Sequence, residues 1–126
     1  MSPKPQILIV EDDDQVRESL RMSLAGGPYE VTSASNGNEA IPLLHGREFQ
    51  CVVLDLNMPY IDGFGVLRFI RSTFPGTRVI VVTANRDLRT TERCREFGVE
   101  EVLWKPYDVE ELLAIISRLT APGAAG

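Results

Sequence analysis

The sequence holds no apolar run approaching the roughly 20 residues that a membrane-spanning helix needs. Its opening stretch, Met1-Ser2-Pro3-Lys4-Pro5-Gln6, also lacks the apolar segment of a secretory signal. A cytoplasmic protein with no membrane partner is therefore expected. Cysteine is scarce: Cys51 and Cys94 are the only two, and no C-x-x-C joins them. That excludes a disulfide framework and a thiolate metal site, and the pair reads as two reduced thiols. Histidine is scarcer still, with His45 alone. Positive charge is in deficit too: 13 Lys and Arg stand against 18 Asp and Glu, for a formal net charge of −5. The basic residues are scattered, whereas phosphate contacts demand clustered Lys and Arg, so nucleic-acid binding by this surface is not expected.

What remains is an ordinary globular composition, 44% hydrophobic and 25% charged, over 126 residues. One domain with a real core fits that length. Short apolar runs alternate with helical patterns. Ile7-Leu8-Ile9-Val10 leads into Val16, Leu20 and Leu24, spaced by four, and the pattern stops at Gly26-Gly27-Pro28. Tyr29-Glu30-Val31-Thr32 is a weaker strand. A second helix opens at Asn36-Gly37-Asn38-Glu39, and Pro42 within it predicts a kinked or late-starting element. Cys51-Val52-Val53-Leu54 and Val79-Ile80-Val81-Val82 are the third and fourth runs, separated by a helix carrying Phe64, Leu67, Ile70 and Phe74. A helix over about 87–97 precedes Val102-Leu103, and the last helix carries Val109, Leu112, Leu113, Ile116 and Leu119. Five strands alternating with five helices predict an α/β domain with a parallel sheet. The strands are continuously apolar, as helices on both faces require. Residues 121–126 read as a flexible, linker-like tail.

In an open parallel sheet, ligands bind outside the carboxyl ends of the strands. The first run ends in Glu11-Asp12-Asp13-Asp14 and the third in Asp55-Leu56-Asn57. Thr83-Ala84-Asn85 follows the fourth and Lys105-Pro106 the fifth. Singly, each has a bland reading: acids after a strand are commonly helix caps, and Asp13 or Asp14 suits that role. Together they put acids, a hydroxyl and an ammonium on one edge, and a carboxylate at the end of an apolar strand is costly without a purpose. Glu11, Asp12 and Asp55 in proximity repel, which raises at least one pKa unless a cation intervenes. Carboxylate oxygens without His or Cys suit Mg²⁺. His45, on the second helix and away from this edge, reads as a surface residue.

These segments, with Met58-Pro59 and Asp62-Gly63, resemble the receiver domain of bacterial two-component response regulators, the family that includes the chemotaxis protein CheY. The likeness runs through residues of about 6–120 in order and spacing. It implies a flavodoxin-like (βα)5 fold with strand order 2-1-3-4-5, and a receiver domain over 1–120. It further implies a signalling switch that takes a phosphoryl group from a sensor histidine kinase, or a small phosphodonor, onto Asp55. By position, Glu11, Asp12 and Asp55, with the backbone carbonyl of Asn57, match the Mg²⁺ ligands. Lys105 matches the lysine that pairs with a phosphoryl oxygen, and Thr83 the hydroxyl drawn inward. The family's Lys-Pro bond, here Lys105-Pro106, is usually cis. Such a domain catalyses its own phosphorylation and dephosphorylation rather than turning over a substrate. Small Ala84 leaves the site open, and Asn57 and Asn85 are placed to set the phosphate's lifetime.

The output side departs from the family. Its switch aromatic would stand at Val102, which cannot serve. Trp104 has the same strand parity, so it is a candidate, with Tyr107, for reporting or docking on the face of the fourth helix, fifth strand and fifth helix; the plain alternative is packing against a helix. The fourth helix offers few apolar residues among Arg86, Arg89, Arg93 and Arg95, so it should be easily displaced, and its basic strip suits an acidic partner. A downstream effector, or a second copy, would bind that face. Two other functions compete. A flavodoxin-like nucleotide binder would need a Gly-rich or Ser/Thr-rich phosphate loop, which the first strand lacks. A degenerate receiver would act as an interaction module without phosphorylation.

Overall fold

The computed structural model describes residues 4–57 and 63–122. Met58, Pro59 and Asp62 of the motif, and residues 123–126 of the expected tail, lie outside the described residues. Five strands, β1 (Gln6–Val10), β2 (Glu30–Ala34), β3 (Cys51–Asp55), β4 (Arg78–Thr83) and β5 (Glu101–Trp104), form one parallel sheet in the order β2-β1-β3-β4-β5. Between and after them run α1 (Asp14–Ala25), α2 (Gly37–Gly46), α3 (Gly63–Thr73), α4 (Leu88–Glu96) and α5 (Val109–Thr120).

Strand side chains alternate between the two faces, and the core divides accordingly. Ile7, Ile9, Cys51, Val53, Ile80 and Val82 pack with Leu20 and Leu24 of α1 and with Leu112 and Ile116 of α5. Leu8, Val10, Val52, Leu54, Val79 and Val81 pack with Ala40 and Leu44 of α2, Val66, Leu67 and Ile70 of α3 and Cys94 of α4. Complete burial on both faces explains why β1, β3 and β4 carry unbroken apolar runs. Each such side chain taken out of water contributes about 1.5–3 kcal/mol before entropy is set against it.

The helix starts follow from local hydrogen bonding. Asp13, not Asp14, caps α1, its carboxylate accepting from the Gln15 and Val16 amides. Asn36 caps α2 by accepting from the Glu39 amide at 2.9 Å, while Glu39 accepts in return from Ser35. Those bonds hold the Glu39 carboxyl below its usual range. The capped α2 begins at Gly37 with Pro42 inside it, so the proline does not delay its start. Asp87 and Asp108 cap α4 and α5. The helix expected over 87–97 is thus Leu88–Glu96 with Asp87 and Phe97 as its caps, and Gly98 at φ +71° lets the chain leave it. Among the described residues no helix is long and apolar enough to cross a membrane.

Candidate functional site

The register decides which groups meet. Val10 lies beside Leu54 and Asp55 beside Val82, so Glu11, one residue past β1, arrives next to Asp55. Glu11, Asp55 and Lys105 share the parity of the α1/α5 face, because each continues the alternation of its strand by one step. Three side chains from three strands therefore converge at the carboxyl edge. Asp55 and Glu11 are each only 1% exposed, while Asp12 is exposed.

Carboxylate oxygens of Glu11, Asp12 and Asp55 lie within 4.8 Å of one another. The Lys105 ammonium donates to Glu11 Oε1 at 3.0 Å and to Asp55 Oδ2 at 3.1 Å. The other oxygens are also held: Asp55 Oδ1 accepts from the Asn57 amide at 2.9 Å and Glu11 Oε2 from the Asp13 amide at 3.2 Å. Burial, followed by a hydrogen bond shared with Asp55, pushes the Glu11 carboxyl up to about 7 against the pull of Lys105. For Lys105 burial works against the charge, but the Glu11 hydrogen bond and the charge of Asp55 prevail and hold its pKa above the ordinary value. Burial and the nearby charge of Glu11 raise the phenol of half-buried Tyr107.

Thr83 ends β4 fully buried, and its Oγ1 accepts from the Asn85 amide at 3.0 Å and from Asn57 Nδ2 at a long 3.4 Å. Its backbone carbonyl accepts from the Lys105 amide at 2.8 Å, which ties the hydroxyl-bearing residue to the ammonium-bearing one. Ala84 and Asn85 are exposed beside it. The Lys105-Pro106 peptide is cis. Next to Lys105 a groove of about 540 Å³ opens between α1 and the start of α5, lined by Val16, Leu20, Pro106 and Tyr107. The donor set fits a hard divalent cation: three clustered carboxylates, two of them buried, with neither imidazole nor thiolate among them.

The family's sequence model, described as the response regulator receiver domain, matches residues 7–117. The chain belongs to the response regulator receiver domain family. This receiver domain is 39% identical over 125 residues to the response regulator MprA of Mycolicibacterium vanbaalenii, a match covering 96% of this chain and 54% of that protein. It thus spans about half the length of the curated relatives it matches. Among solved structures, the non-phosphorylated HemR receiver domain of Leptospira biflexa superposes with a TM-score of 0.88 at 32% identity, covering 94% of this chain and 95% of that one. A CheY-like receiver domain protein of Methanospirillum hungatei gives 0.90 at 26% identity, covering 98% and 99%.

On the output side, Val102 is half-buried against the α2/α3/α4 core, and Trp104 lies two residues on, 41% exposed. Both line a cavity of about 330 Å³ with Leu88, Thr91 and Arg95 of α4. The Arg86 guanidinium lies over the Trp104 ring, 5.1 Å from its centroid. Of the arginines around α4, Arg93 lies on the Phe64 ring at 3.8 Å. His45 is exposed, its ring edge-on to Phe69 at 5.2 Å. Two groupings have no local signal in the sequence. Arg86 reaches Trp104 across 18 positions, and Arg71 reaches the Phe97 and Gly98 carbonyls across 26 and 27. Only the fold brings them together.

Proposed function

We propose that this receiver domain is a phosphoacceptor switch in which the carboxylate of Asp55 takes a phosphoryl group from a phosphohistidine of a sensor kinase, or from a small phosphodonor. The observation that carries the reading is the buried Asp55 carboxylate at the end of β3, with one oxygen on the Lys105 ammonium at 3.1 Å. A carboxylate attacks an anionic donor poorly unless charge is neutralised. Glu11, Asp12 and Asp55, with the backbone carbonyl of Asn57, would hold one Mg²⁺, which supplies positive charge to the transferring oxygens when bound. Lys105 pairs with one of those oxygens, and Asn57 orients Asp55 through its amide. As the new O–P bond forms, the donor's own bond to phosphorus breaks: P–N in a phosphohistidine with the imidazole leaving, or P–O in acetyl phosphate with acetate leaving. An acyl phosphate remains on Asp55. No general base is needed, because the carboxylate attacks directly.

Thr83 Oγ1 then turns from the Asn85 amide toward the phosphoryl group. Water finally cleaves the acyl phosphate, reaching it past small, exposed Ala84, with Asn57 and Asn85 at the flanks. The domain is the span 1–120, with 121–126 as a tail, and works in the cytoplasm. Its output passes through the α4/β5/α5 face, with Trp104 in the place that Val102 cannot fill, to an effector or a second copy.

The test is intact mass after incubation with Mg²⁺ and acetyl phosphate. One phosphoryl adduct on the native chain and none on Asp55→Asn supports the switch. Absence of an adduct on both leaves an interaction module that works without phosphorylation.

A further inference from the structure

We infer that α4 is a lever with a fixed pivot at its carboxyl end and a latch at its amino end, and that Arg86 on the Trp104 ring is the latch. The two ends of the helix are held very differently. At the carboxyl end the Arg71 guanidinium of α3 donates to the Phe97 carbonyl at 2.6 Å, to Gly98 at 3.0 Å and to Thr77 at 2.7 Å. It also meets the Glu100 carboxylate at 3.2 Å, which accepts from the Val79 amide of β4 at 2.7 Å. With the Pro75 carbonyl at 3.2 Å, five partners on one planar fork fix residues 97–100 to α3 and to the sheet.

Among the described residues the amino end has no comparable fork. Leu88, its first residue, is 73% exposed. Thr91 buries a hydroxyl that has no hydrogen-bond partner among the described residues. Among the described residues, two contacts tie the 85–87 loop that leads into it to the sheet: the Asn85 amide on Thr83 Oγ1 at 3.0 Å, and Arg86 over Trp104 at 5.1 Å. Thr83 and Trp104 are themselves partners in the β4–β5 register. One hydroxyl and one ring, on paired residues of adjacent strands, therefore hold the loop. Withdrawal of the hydroxyl frees the Asn85 amide, the loop shifts, Arg86 leaves the ring, and α4 swings about residues 97–98. Such a device needs no aromatic side chain at Val102. The latch stands on the geometry alone, whereas its physiological trigger rests on the phosphoacceptor reading above.

Trp104 is the only tryptophan, so its emission reports the stack directly. In Thr83→Val, without any phosphodonor, the emission should shift, and amides 85–91 should exchange with deuterium about five- to tenfold faster, the factor for one lost net hydrogen bond. The Gly98 and Val99 amides should not change. Exposed Arg86→Ala, which leaves Asp55 able to accept a phosphoryl group, should show the shifted emission from the start and no further change once phosphorylated. Native protein given Mg²⁺ and acetyl phosphate should move to the same emission in step with its mass adduct. Unchanged emission in Thr83→Val, or an adduct on native protein without change at 85–91, overturns the inference. If native protein gains no adduct, the phosphoacceptor reading fails, and the Thr83→Val and Arg86→Ala arms still decide the latch.

Discussion

Removing Lys105 exposes how the acid cluster is held together. In Lys105→Ala the buried Glu11 and Asp55 carboxylates keep their places but lose the ammonium that lies 3.0 and 3.1 Å from them. Two charges at the cluster's outer separation of 4.8 Å repel by about 3–4 kcal/mol at an effective dielectric near 20. Part of that is relieved, because Glu11 already tends to hold a proton up to about pH 7. Lys105 is itself 27% exposed, so its own contribution is screened. The net loss expected in EDTA is about 2 kcal/mol. A divalent cation should replace the missing charge, so Mg²⁺ should stabilise Lys105→Ala more than it stabilises the native chain; each tenfold gain in affinity adds about 1.4 kcal/mol. Urea unfolding followed by far-UV circular dichroism, in EDTA and in millimolar Mg²⁺, measures both quantities. Equal stability of the two proteins in EDTA, or equal stabilisation by Mg²⁺, would refute the reasoning.

Other perturbations read other parts of the fold. A Cβ on Gly63 would stand 2.3 Å from the Leu56 Cα and 2.8 Å from the Asp55 carbonyl oxygen, contacts that no rotamer relieves. Gly63→Ala should therefore cost about 3 kcal/mol in urea unfolding and slow phosphorylation of the displaced Asp55. Arg71→Ala should cost about 2–4 kcal/mol by the same assay, and Arg71→Lys most of that, since an ammonium cannot reach all the partners of the fork. Burial pushes the Cys51 thiol from 9.0 to about 12. The folded state then keeps a proton that the unfolded chain gives up, so stability is intact below 9.0 and falls as pH rises toward the folded value. Native protein should lose about 1 kcal/mol more than Cys51→Ala between about pH 9 and 10 in urea titrations; parallel losses would contradict the burial account.

The strands were legible because full burial on two faces leaves unbroken apolar runs within β1, β3 and β4, and an acid marks where the runs of β1 and β3 stop. β2 is weaker in the sequence for a physical reason: it is an edge strand whose pattern mixes exposed and half-buried positions. Asp13 and Asp14 are equivalent as text, and only backbone geometry selects Asp13 as the cap. Pro42 reads as an obstacle to α2, yet Asn36 and Glu39 start the helix ahead of it. The acid, hydroxyl and ammonium positions could be read off because each ends or directly follows its strand. How they are held could not. The Lys105 bridge, the Arg71 fork and the Arg86 stack on Trp104 join residues that only the register brings together.

The chemistry proposed for Asp55 leaves a trace that can be fixed in place. Borohydride reduces an aspartyl phosphate to homoserine, so protein treated with Mg²⁺ and acetyl phosphate, reduced, digested and sequenced by tandem mass spectrometry should carry homoserine at position 55 and at no other acid. Homoserine at Asp12 or another aspartate, the five-carbon alcohol 2-amino-5-hydroxyvaleric acid at Glu11, or unmodified Asp55 in protein that has gained a phosphoryl group, would contradict the account.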